Sequence, residues 1–367
     1  MSTKKLSLTE RLMKNTTIKE TAIFTESKVL ERAAPAVTGI PLLNVALSGE
    51  VTGGLTSGLG VIAGPSKHFK TGLVLQMIKA YMDANEDAVC LFYDNEFGSP
   101  QGYFDAAGID TKRVIHTPIM NIEDLKFDVI AQLEEVKKGD KLIIVIDSIG
   151  NLASKKEVED AKDQKAVADM TRAKQLKSLF RMVTPYLTMA DIPMIAINHT
   201  YKTQEMYAKD VVSGGTGIYY SANWIFIMGR QQETEGSGAK KELMGFNFII
   251  KNDKSRFVRE GSKIPLYVDF EEGIQKWSGM LELAVEMGYV TKPKEGQYAR
   301  AHIQVGDELD LNERGKPWKA KETMCDEFWE PVFRETDFAS AIKRKFKLGI
   351  GEANPSEAEE VVNVEEE

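Results

Sequence analysis

The sequence predicts an α/β protein built on a mostly parallel β-sheet with helices on both faces. Short, almost wholly apolar runs alternate with longer amphipathic segments between residues 58 and 198. The apolar runs have the length of buried strands, and the amphipathic segments carry apolar residues at helical spacings of three and four. Strands separated by helices pair in parallel through right-handed crossovers, which leaves both faces of the sheet covered.

Each element follows from its own stretch of sequence. The predicted strands lie at residues 59–63, 88–93, 114–117, 142–146 and 194–198, and the predicted helices at residues 70–84, 122–137 and 167–189. The first helix has the clearest apolar stripe, formed by Leu73, Val74, Met77, Ile78, Tyr81 and Met82. Three further strands, at residues 224–230, 246–251 and 264–270, follow one another without helices. We expect these three to extend the sheet as antiparallel edge strands.

Composition excludes several classes of protein. The 367 residues are 43% hydrophobic and 28% charged, and no apolar run reaches the roughly 20 residues of a membrane span. Two cysteines, Cys90 and Cys325, and four scattered histidines favour neither a disulfide scaffold nor a zinc site. Because no signal-peptide core is present near the N-terminus, we expect a cytoplasmic protein.

Charge and pattern divide the chain into four parts. Residues 1–32 form a basic arm, residues 33–287 the α/β core and residues 288–350 a small C-terminal domain. Residues 351–367 hold seven glutamates and no basic residue, so without this acidic tail the net charge of −8 almost vanishes. We expect the tail to be a disordered, solubilising end, and competition with DNA for a basic surface is the alternative.

A candidate phosphate-binding loop lies between the first predicted strand and the first helix. It consists of Gly64, Pro65, Ser66, Lys67, His68, Phe69, Lys70 and Thr71. Backbone N–H groups at a helix N-terminus attract phosphates, Lys70 adds a positive charge and the Thr71 hydroxyl is a potential Mg²⁺ ligand. Phe69 stands where the general pattern has glycine, which puts the detailed geometry of the loop in doubt. The alternative is a helix N-terminus that happens to contain Lys-Thr.

Polar residues follow three other predicted strands, at the edge where ligands bind to parallel sheets. Asp147 is placed to orient Mg²⁺ or its water, Glu96 to orient and deprotonate an attacking water, and Asn198 to sense a γ-phosphate. Each has an ordinary alternative in isolation: a strand-ending aspartate, a solvated loop acid and a loop-capping asparagine. Together with Lys70 and Thr71 they predict a nucleotide site.

Two long stretches, residues 151–165 and 200–221, match no regular pattern, and loops of this length inside a compact domain are often functional. Their charges are balanced, so composition alone does not predict DNA binding. A glycine-rich run and several tyrosines favour it, because backbone N–H groups bind phosphates and aromatic rings stack on bases. The tyrosines are Tyr201, Tyr207, Tyr219 and Tyr220. A core anchor is the alternative for each of them.

In their order along the chain, these motifs resemble those of the RecA-type recombinases, and in particular the recombinases of T-even-type phages. They are Gly-Pro-Ser-x-x-x-Lys-Thr, Tyr-Asp-x-Glu, Val-Ile-Asp-Ser, Ile-Asn-His and Gly-Gly-Thr-Gly. The resemblance runs from about residue 40 to 347 and includes Phe69. It implies a RecA-like P-loop ATPase core that uses ATP and Mg²⁺, and it makes the basic arm an oligomerisation arm.

The resemblance also assigns roles to individual residues. The implied catalytic residues are Lys70, Glu96, Lys254 and Arg256, of which the last two reach the γ-phosphate of the neighbouring subunit. The implied nucleotide contacts are the phosphate-binding loop, Tyr103 against adenine, Asp147 and Asn198, with Thr71 and Asp147 at the metal. The implied DNA-binding residues are Lys155, Lys156, Lys174, Arg181, His199, Lys202, Gly214 and Gly215. A core aromatic is the alternative for Tyr103, and a surface cation for Lys254 and Arg256.

The implied function is a DNA-dependent ATPase that forms a helical filament on single-stranded DNA and exchanges strands with homologous duplex DNA. Such a protein acts in recombination, repair and recombination-dependent replication, with phage single-strand-binding and recombination-mediator proteins as implied partners. Two rivals stay open: a RecA-fold hexameric helicase, and a non-hydrolysing DNA-coating filament protein that uses ATP only for assembly.

Overall fold

The computed structural model of the chain describes residues 6–29, 31–137, 139–163, 171–203, 210–235, 242–271, 273–303 and 310–349. Some predictions concern other residues. The acidic tail at residues 351–367 lies outside the described residues, as do residues 164–165 of the first long loop. Residues 204–209 of the second long loop, which include Tyr207, also lie outside them.

Helices and strands alternate through the centre of the chain, as predicted. The helices are α1 (Leu8–Asn15), α2 (Pro41–Ser48), α3 (Lys70–Ala84), α4 (Gln101–Ala106), α5 (Ile122–Glu135), α6 (Lys155–Lys162), α7 (Thr171–Met189), α8 (Gly217–Ser221), α9 (Met280–Glu286), α10 (Asp326–Glu335) and α11 (Phe338–Phe346). The strands are β1 (Gly58–Ala63), β2 (Val89–Asp94), β3 (Val114–Pro118), β4 (Leu142–Asp147), β5 (Pro193–Asn198), β6 (Thr200–Lys202), β7 (Asp210–Val212), β8 (Trp224–Glu235), β9 (Glu242–Ser255), β10 (Lys263–Asp269), β11 (Gly273–Ile274), β12 (Val290–Thr291) and β13 (Ala299–Arg300). Short 3₁₀ helices lie at Phe24–Glu26, Thr111–Arg113 and Ala320–Thr323. None of the described helices combines the length and apolar character needed to cross a bilayer.

Nine of the described strands form one sheet in the order β11–β10–β9–β8–β1–β5–β4–β2–β3. The strands from β8 to β3 pair in parallel, and β9, β10 and β11 continue the sheet through antiparallel pairs. The predicted α/β class is therefore confirmed. One pairing differs from the prediction, because β8 lies parallel to β1, with Trp224 opposite Gly60. The chain leaves β5 at its carboxyl end, and α8 returns it to the amino end of β1 before β8 begins.

The sheet separates two hydrophobic cores, because successive side chains of a strand point to opposite faces. In β2, Cys90 and Phe92 face the first core, and Leu91 and Tyr93 face the second. The apolar stripe of α3 is buried in the first core together with α2, and the stripes of α5 and α7 are buried in the second. Helices thus cover both faces of the sheet.

The two long loops contain more regular structure than their sequences indicate. The first includes α6, at whose start the Ser154 hydroxyl accepts a hydrogen bond of 3.1 Å from the N–H of Glu157. The second contains the β6–β7 hairpin and α8. These elements are three to eight residues long. Periodicity does not reveal them, because a helical pattern needs a window of about 11 residues or more and strand alternation needs about four.

The N-terminal arm exposes apolar side chains instead of burying them. No residue of the described range 6–29 is buried, although α1 carries Leu8 and Leu12, each 62% exposed. Phe24 is 81% exposed. The arm joins the body where the Ala33 N–H bonds the carboxylate of Asp191 at 2.8 Å. Such an arm covers its apolar residues only by contact with another surface.

The C-terminal region packs its large aromatic side chains against the first core. Trp318, Phe328 and Trp329 are buried in the cluster that also holds the stripe of α3. Arg300 and Asp310 form a buried ion pair through two hydrogen bonds of 2.8 Å. The guanidinium of Arg300 lies over the rings of Trp318 and Phe328, at 5.3 Å and 5.5 Å from their centroids. This ion pair therefore sits at the centre of the C-terminal aromatic packing.

We predict that Asp310→Asn destabilises the protein by about 3–5 kcal/mol, because it leaves the Arg300 charge buried without a counter-charge. Denaturant unfolding followed by tryptophan fluorescence measures the effect. Arg334→Ala is the control, since Arg334 pairs with Glu335 at the surface, and it should leave the curve in place. An unfolding free energy for Asp310→Asn equal to that of the unsubstituted chain would contradict the assignment.

Candidate functional site

The four strand ends that carry the predicted nucleotide residues lie side by side. β2, β4, β5 and β1 are consecutive in the sheet and run in the same direction. Their carboxyl ends therefore form one edge, which is where ligands of parallel sheets bind. Glu96 follows β2, Asp147 ends β4, Asn198 ends β5, and the loop from Gly64 follows β1. The residues predicted at the strand ends therefore lie together at this edge of the sheet.

Lys70 begins α3, and its side chain is buried against the phosphate loop, residues 64–71. Its ammonium group donates hydrogen bonds to the backbone carbonyls of Gly64 (3.1 Å) and Pro65 (2.8 Å). Burial lowers the pKa of Lys70, and the carboxylates of Glu96 and Asp147 oppose this shift. Lys70 is therefore a buried cation in the field of two carboxylates.

The middle of the phosphate loop is at the surface. Pro65, Ser66 and Lys67 are exposed, and the Nδ1 atom of His68 lies 2.8 Å from the carbonyl oxygen of Ser66. These three loop residues are therefore accessible from solvent.

Phe69, which stands where the general pattern has glycine, has a left-handed backbone. Its φ of 56° lies in the left-handed region, as does the φ of 61° at Lys67. This conformation costs an L-residue about 1–2 kcal/mol. The ring of Phe69 is half-buried and stacks on that of Phe248, with centroids 5.2 Å apart. The turn of the loop is therefore preserved, and aromatic packing offsets its cost.

Thr71 and Asp147 provide oxygen atoms of the kind that Mg²⁺ prefers. The Thr71 hydroxyl donates a hydrogen bond of 3.0 Å to Oδ2 of Asp147, whose side chain is buried. Burial raises the pKa of Asp147 to about 6, against the lowering effect of the Thr71 hydrogen bond. In the described part of the chain, no cluster of three or more His, Cys, Asp or Glu residues could hold a metal. A metal at this pair would take its other ligands from phosphate and water.

Glu96 has three hydrogen-bond partners on one carboxylate oxygen, Oε1. The Ser148 hydroxyl donates at 2.5 Å, the Asn151 amide donates at 3.1 Å, and Nε2 of His199 lies 3.0 Å away. The His199 contact is the main cause that lowers the pKa of Glu96 to about 2. The other oxygen, Oε2, has no hydrogen-bond partner within the described ranges, and the side chain is 33% exposed. Glu96 is thus an ionised, partly exposed carboxylate with one oxygen that no described group bonds.

Sequence reasoning missed the side chains that hold Glu96 in place. Asp94 is buried at the end of β2 and accepts hydrogen bonds from the backbone N–H groups of Glu96 (3.0 Å) and Phe97 (2.8 Å). Asn95 accepts one from the N–H of Ser148 (2.7 Å), which ties the turn after β2 to the turn after β4. Asp and Asn commonly form such local turns, so the Asp-Asn pair before Glu96 was the available signal.

Asn198 connects this edge to the second long loop. Its buried side-chain amide donates a hydrogen bond of 2.7 Å to the carbonyl of Ser213. The N–H of Ser213 in turn bonds the carbonyl of His199 at 3.0 Å, and the N–H of Gly64 bonds the carbonyl of Asn198 at 3.3 Å. Asn198 therefore contacts the start of the phosphate loop and the second loop at once.

Arg172, which the sequence analysis did not single out, joins the two long loops. Its guanidinium donates hydrogen bonds to the carbonyls of Ile149 (2.8 Å), Gly150 (2.7 Å) and Leu152 (2.9 Å). It also donates to the hydroxyl of Ser213 at 3.4 Å. Burial lowers the pKa of Arg172. The start of the first loop and the middle of the second are thus held around one cation.

Gly214 and Gly215 lie against the first turns of α7, beside Leu176 and Ala173, and Lys174 is exposed on the same part of the helix. Both glycines have left-handed φ values, 97° and 79°, and the loop follows the first turns of the helix. A Cβ on Gly214 would lie 3.0 Å from the Leu176 side chain, so glycine permits this close approach. Lys177 is exposed on the same helix face, three residues after Lys174, and sequence reasoning missed it.

The other predicted DNA-binding lysines and arginine are more dispersed. Arg181 is exposed two turns further along α7, Lys202 is exposed on the β6–β7 hairpin, and Lys156 is exposed on α6. Lys155 forms an ion pair with Asp124 at 2.6 Å. No hydrogen bond or ion pair between described residues links these four side chains to one another.

The tyrosines that were predicted to stack on adenine or on DNA bases differ in their exposure to solvent. Tyr103 and Tyr201 are each 56% exposed, and Tyr220 is 73% exposed, which excludes a core role for all three. Tyr219 packs against the second core and donates a hydrogen bond of 2.8 Å to Asp253, so the core alternative holds for it.

Lys254 and Arg256 lie away from the phosphate loop of their own chain. β9 ends opposite Trp224, which pairs with Gly60, four residues before the loop begins at Gly64. At about 3.3 Å per residue this is about 13 Å along the strand direction. The ammonium group of Lys254 donates hydrogen bonds to backbone carbonyls at the end of α8. Arg256 is exposed.

Comparison with known proteins finds two matching families. The RecA N-terminal domain family matches residues 4–275, and the family described as the C-terminal domain of the bacteriophage T4 recombination and repair protein matches residues 277–342. The "Recombination and repair protein" of Enterobacteria phage T4 is 48% identical over 97% of this chain and 90% of its own length. "Protein RecA" of Cutibacterium acnes is 27% identical over 71% of this chain and 72% of its own length. "Protein RecA" of Streptomyces rimosus is 25% identical over 88% of this chain and 80% of its own length.

These matches cover the sheet, the strand-end residues and the C-terminal helices together. They agree with the motif order in the sequence and favour neither the helicase nor the coat-protein alternative. The chain belongs to the RecA family and is a recombinase.

Proposed function

We propose that the chain is a DNA-stimulated, Mg²⁺-dependent ATPase that forms a helical filament on single-stranded DNA and exchanges strands with homologous duplex DNA. The observation that carries the proposal is the meeting of Lys70, Asp147 and Glu96 at one sheet edge. A cation, a metal-ligand pair and a water-orienting carboxylate are the parts that phosphoryl transfer needs. For DNA, the proposal draws on the phage T4 relative, which is named for recombination and repair.

The phosphate loop would bind the triphosphate of ATP. The N-terminus of α3 offers N–H groups to phosphate oxygens, and Lys70 supplies a positive charge. Thr71 and Asp147 fit a magnesium ion, because their oxygens are 3.0 Å apart at the same edge. When bound there, the ion would polarise phosphate oxygens and offset their charge. Tyr103, exposed on α4, would stack against adenine.

Glu96 would orient the attacking water through Oε2. Its lowered pKa of about 2 keeps it an acceptor at neutral pH, and orientation is the main requirement when the transition state is loose. His199 contacts Glu96, and Asn198 contacts Ser213. Loss of the γ-phosphate would therefore affect the second long loop through the contacts of His199 with Glu96 and of Asn198 with Ser213.

The DNA surface would include Lys174, Lys177, Gly214 and Gly215. A cationic helix face beside glycine N–H groups suits binding to the phosphate backbone of any sequence. The exposed rings of Tyr201 and Tyr220 would add stacking on bases, and Arg181, Lys156 and Lys202 would add positive charge further out. Lys155 would contribute less, because Asp124 already neutralises it.

Filament assembly would use the arm and the end of β9. The exposed apolar side chains of residues 6–29 suit a contact with a neighbouring subunit. Arg256 would reach the neighbour's γ-phosphate, while Lys254 would also support α8 within its own chain. Phage single-strand-binding and mediator proteins are proposed as further partners on the resemblance alone.

A strand-exchange assay with homologous and heterologous duplexes tests the function. We expect a displaced strand with the homologous duplex only, in the presence of MgATP. Lys70→Ala should lose exchange and ATP-dependent assembly, because it removes the buried cation of the phosphate loop. Lys79→Ala, on the exposed side of the same helix, is the matched control and should stay active. Equal activity on the heterologous duplex would indicate a helicase and refute the proposal.

We predict that Glu96→Gln slows DNA-stimulated ATP hydrolysis by at least about 100-fold while nucleotide and DNA binding persist. Glutamine keeps an oxygen for the Ser148 and His199 contacts but removes the negative charge that orients water. Phosphate release and nucleotide affinity are measured on the same preparation. The control is Glu135→Gln, an exposed glutamate of α5. If Glu96→Gln turns over at the unsubstituted rate, water activation belongs to another residue.

We predict that Arg256→Ala and Glu96→Gln complement each other in mixed filaments. If Arg256 acts on a neighbour, mixing creates some interfaces that contain both native residues, and ATPase activity should exceed the sum of the separate proteins. Arg256 is preferred to Lys254 for this test because Lys254 also bonds the end of α8.

Arg259→Ala is the matched control for the mixing experiment, since the Arg259 guanidinium bonds a carbonyl of its own chain. On its own, Arg259→Ala should keep the ATPase activity of the unsubstituted chain. Activity that stays at the sum of the separate proteins at every mixing ratio would show that Arg256 acts within its own subunit or not at all.

A further inference from the structure

Side chains from β8 and β9 contact both left-handed residues of the phosphate loop. Lys67 and Phe69 are the non-glycine residues of the loop with positive φ, 61° and 56°. Arg230 contacts the first and Phe248 contacts the second. We propose that Arg230, Phe246 and Phe248, here called the loop brace, are positioning residues that hold the phosphate loop in its nucleotide-binding shape. This inference rests on the proposed nucleotide site.

The first half of the evidence is the packing of Phe69. Its ring stacks on Phe248 at 5.2 Å between centroids and 22° between planes, and Phe248 is buried. Gly72, in the first turn of α3, makes room for this ring, because a Cβ at Gly72 would lie 2.6 Å from the ring atoms. Phe69 and Gly72 are therefore matched: the bulky residue in the loop fits only because the helix lacks a side chain beneath it.

The second half of the evidence is the position of Arg230. Its Nη1 atom donates a hydrogen bond of 3.1 Å to the backbone carbonyl of Lys67. The same guanidinium lies over the ring of Phe246, 4.6 Å from the centroid. Phe246 is 5.9 Å from Phe248, and Arg230 pairs directly with Phe248 across the two strands. The contacts to Lys67 and Phe69 thus come from one connected unit of the sheet.

A brace of this kind is needed because the loop lacks glycine at residue 69. Glycine adopts left-handed φ values without steric cost, whereas phenylalanine holds them only when its surroundings fix it. No described contact of the three brace side chains involves Glu96 or Asp147. The brace should therefore act on nucleotide affinity and leave the chemical step of bound nucleotide largely unchanged.

Isothermal titration of the full chain with Mg·ADP tests the brace, because ADP binding does not require Glu96. We expect Arg230→Ala and Phe248→Leu each to weaken binding by about tenfold, the scale of one aromatic or cation–π contact. Arg230 is exposed, so its loss should not move the melting temperature. Phe248→Leu keeps an apolar side chain in the core, which guards against simple unfolding.

The same Phe248→Leu substitution, made in a chain that no longer contains Phe69, separates a positioning role of the brace from a general effect on stability. Phe69→Gly combined with Gly72→Ala restores the glycine of the general loop pattern and fills the space left by the ring. In that background Phe248→Leu should no longer weaken Mg·ADP binding, because no aromatic residue remains to be held. Phe270→Ala is the matched control: its ring contacts Phe246 at 5.5 Å, its side chain is 57% exposed, and it should bind Mg·ADP normally.

The possible outcomes distinguish the brace from the site itself. Unchanged affinity in both Arg230→Ala and Phe248→Leu overturns the brace and leaves the nucleotide site standing. An equal loss from Phe248→Leu in both backgrounds also overturns it, since the effect then comes from the core. If the unsubstituted chain binds no Mg·ADP, the proposed nucleotide site is wrong and the brace with it.

Discussion

Hydrogen bonding between the parallel strands β1, β5, β4 and β2 fixes the level at which each strand ends. Asp94 lies opposite Asp147, Ala63 lies opposite Asn198, and Ile146 lies opposite Ala196, so the four ends lie within one residue of the same level. This alignment brings residues far apart in the sequence to one edge, where Lys70, Asp147 and Glu96 share a field. The two apolar cores on either side of the sheet hold that register, because a shift by one residue would exchange the faces of every strand.

At this edge Lys70 lies near the carboxylates of Glu96 and Asp147, but no ion pair among the described residues joins it to either of them. Burial lowers the pKa of Lys70 and raises the pKa of Asp147 to about 6, so the folded chain disfavours both charged forms. Glu96 differs, since its His199 and Ser148 contacts keep it ionised. A ligand that brings phosphate to Lys70 and a divalent cation to Asp147 supplies the charges that these two groups lack.

Two structural connections lead away from the edge. One runs through Asn198 and Ser213 to Arg172, which holds the start of the first long loop and the middle of the second. The other runs along β9, where Phe248 packs on the phosphate loop of its own chain and Arg256 follows the far end.

The sequence by itself determined the α/β class, most elements of the core and the strand-end residues Glu96, Asp147 and Asn198. These depend on local periodicity and on the rule that parallel strands end at one edge, which act within short windows. The sequence did not reveal α6, the β6–β7 hairpin or the parallel pairing of β8, because these elements are short or depend on how the chain returns to the sheet. Only the tertiary structure decided that Phe69 keeps a left-handed backbone, since Phe248, on which its ring stacks, lies far from it in the sequence. It likewise decided that Arg172 joins the two loops and that Tyr219 packs against the second core while Tyr220 is exposed, because hydrogen bonds and packing between distant segments leave no periodic trace in the sequence.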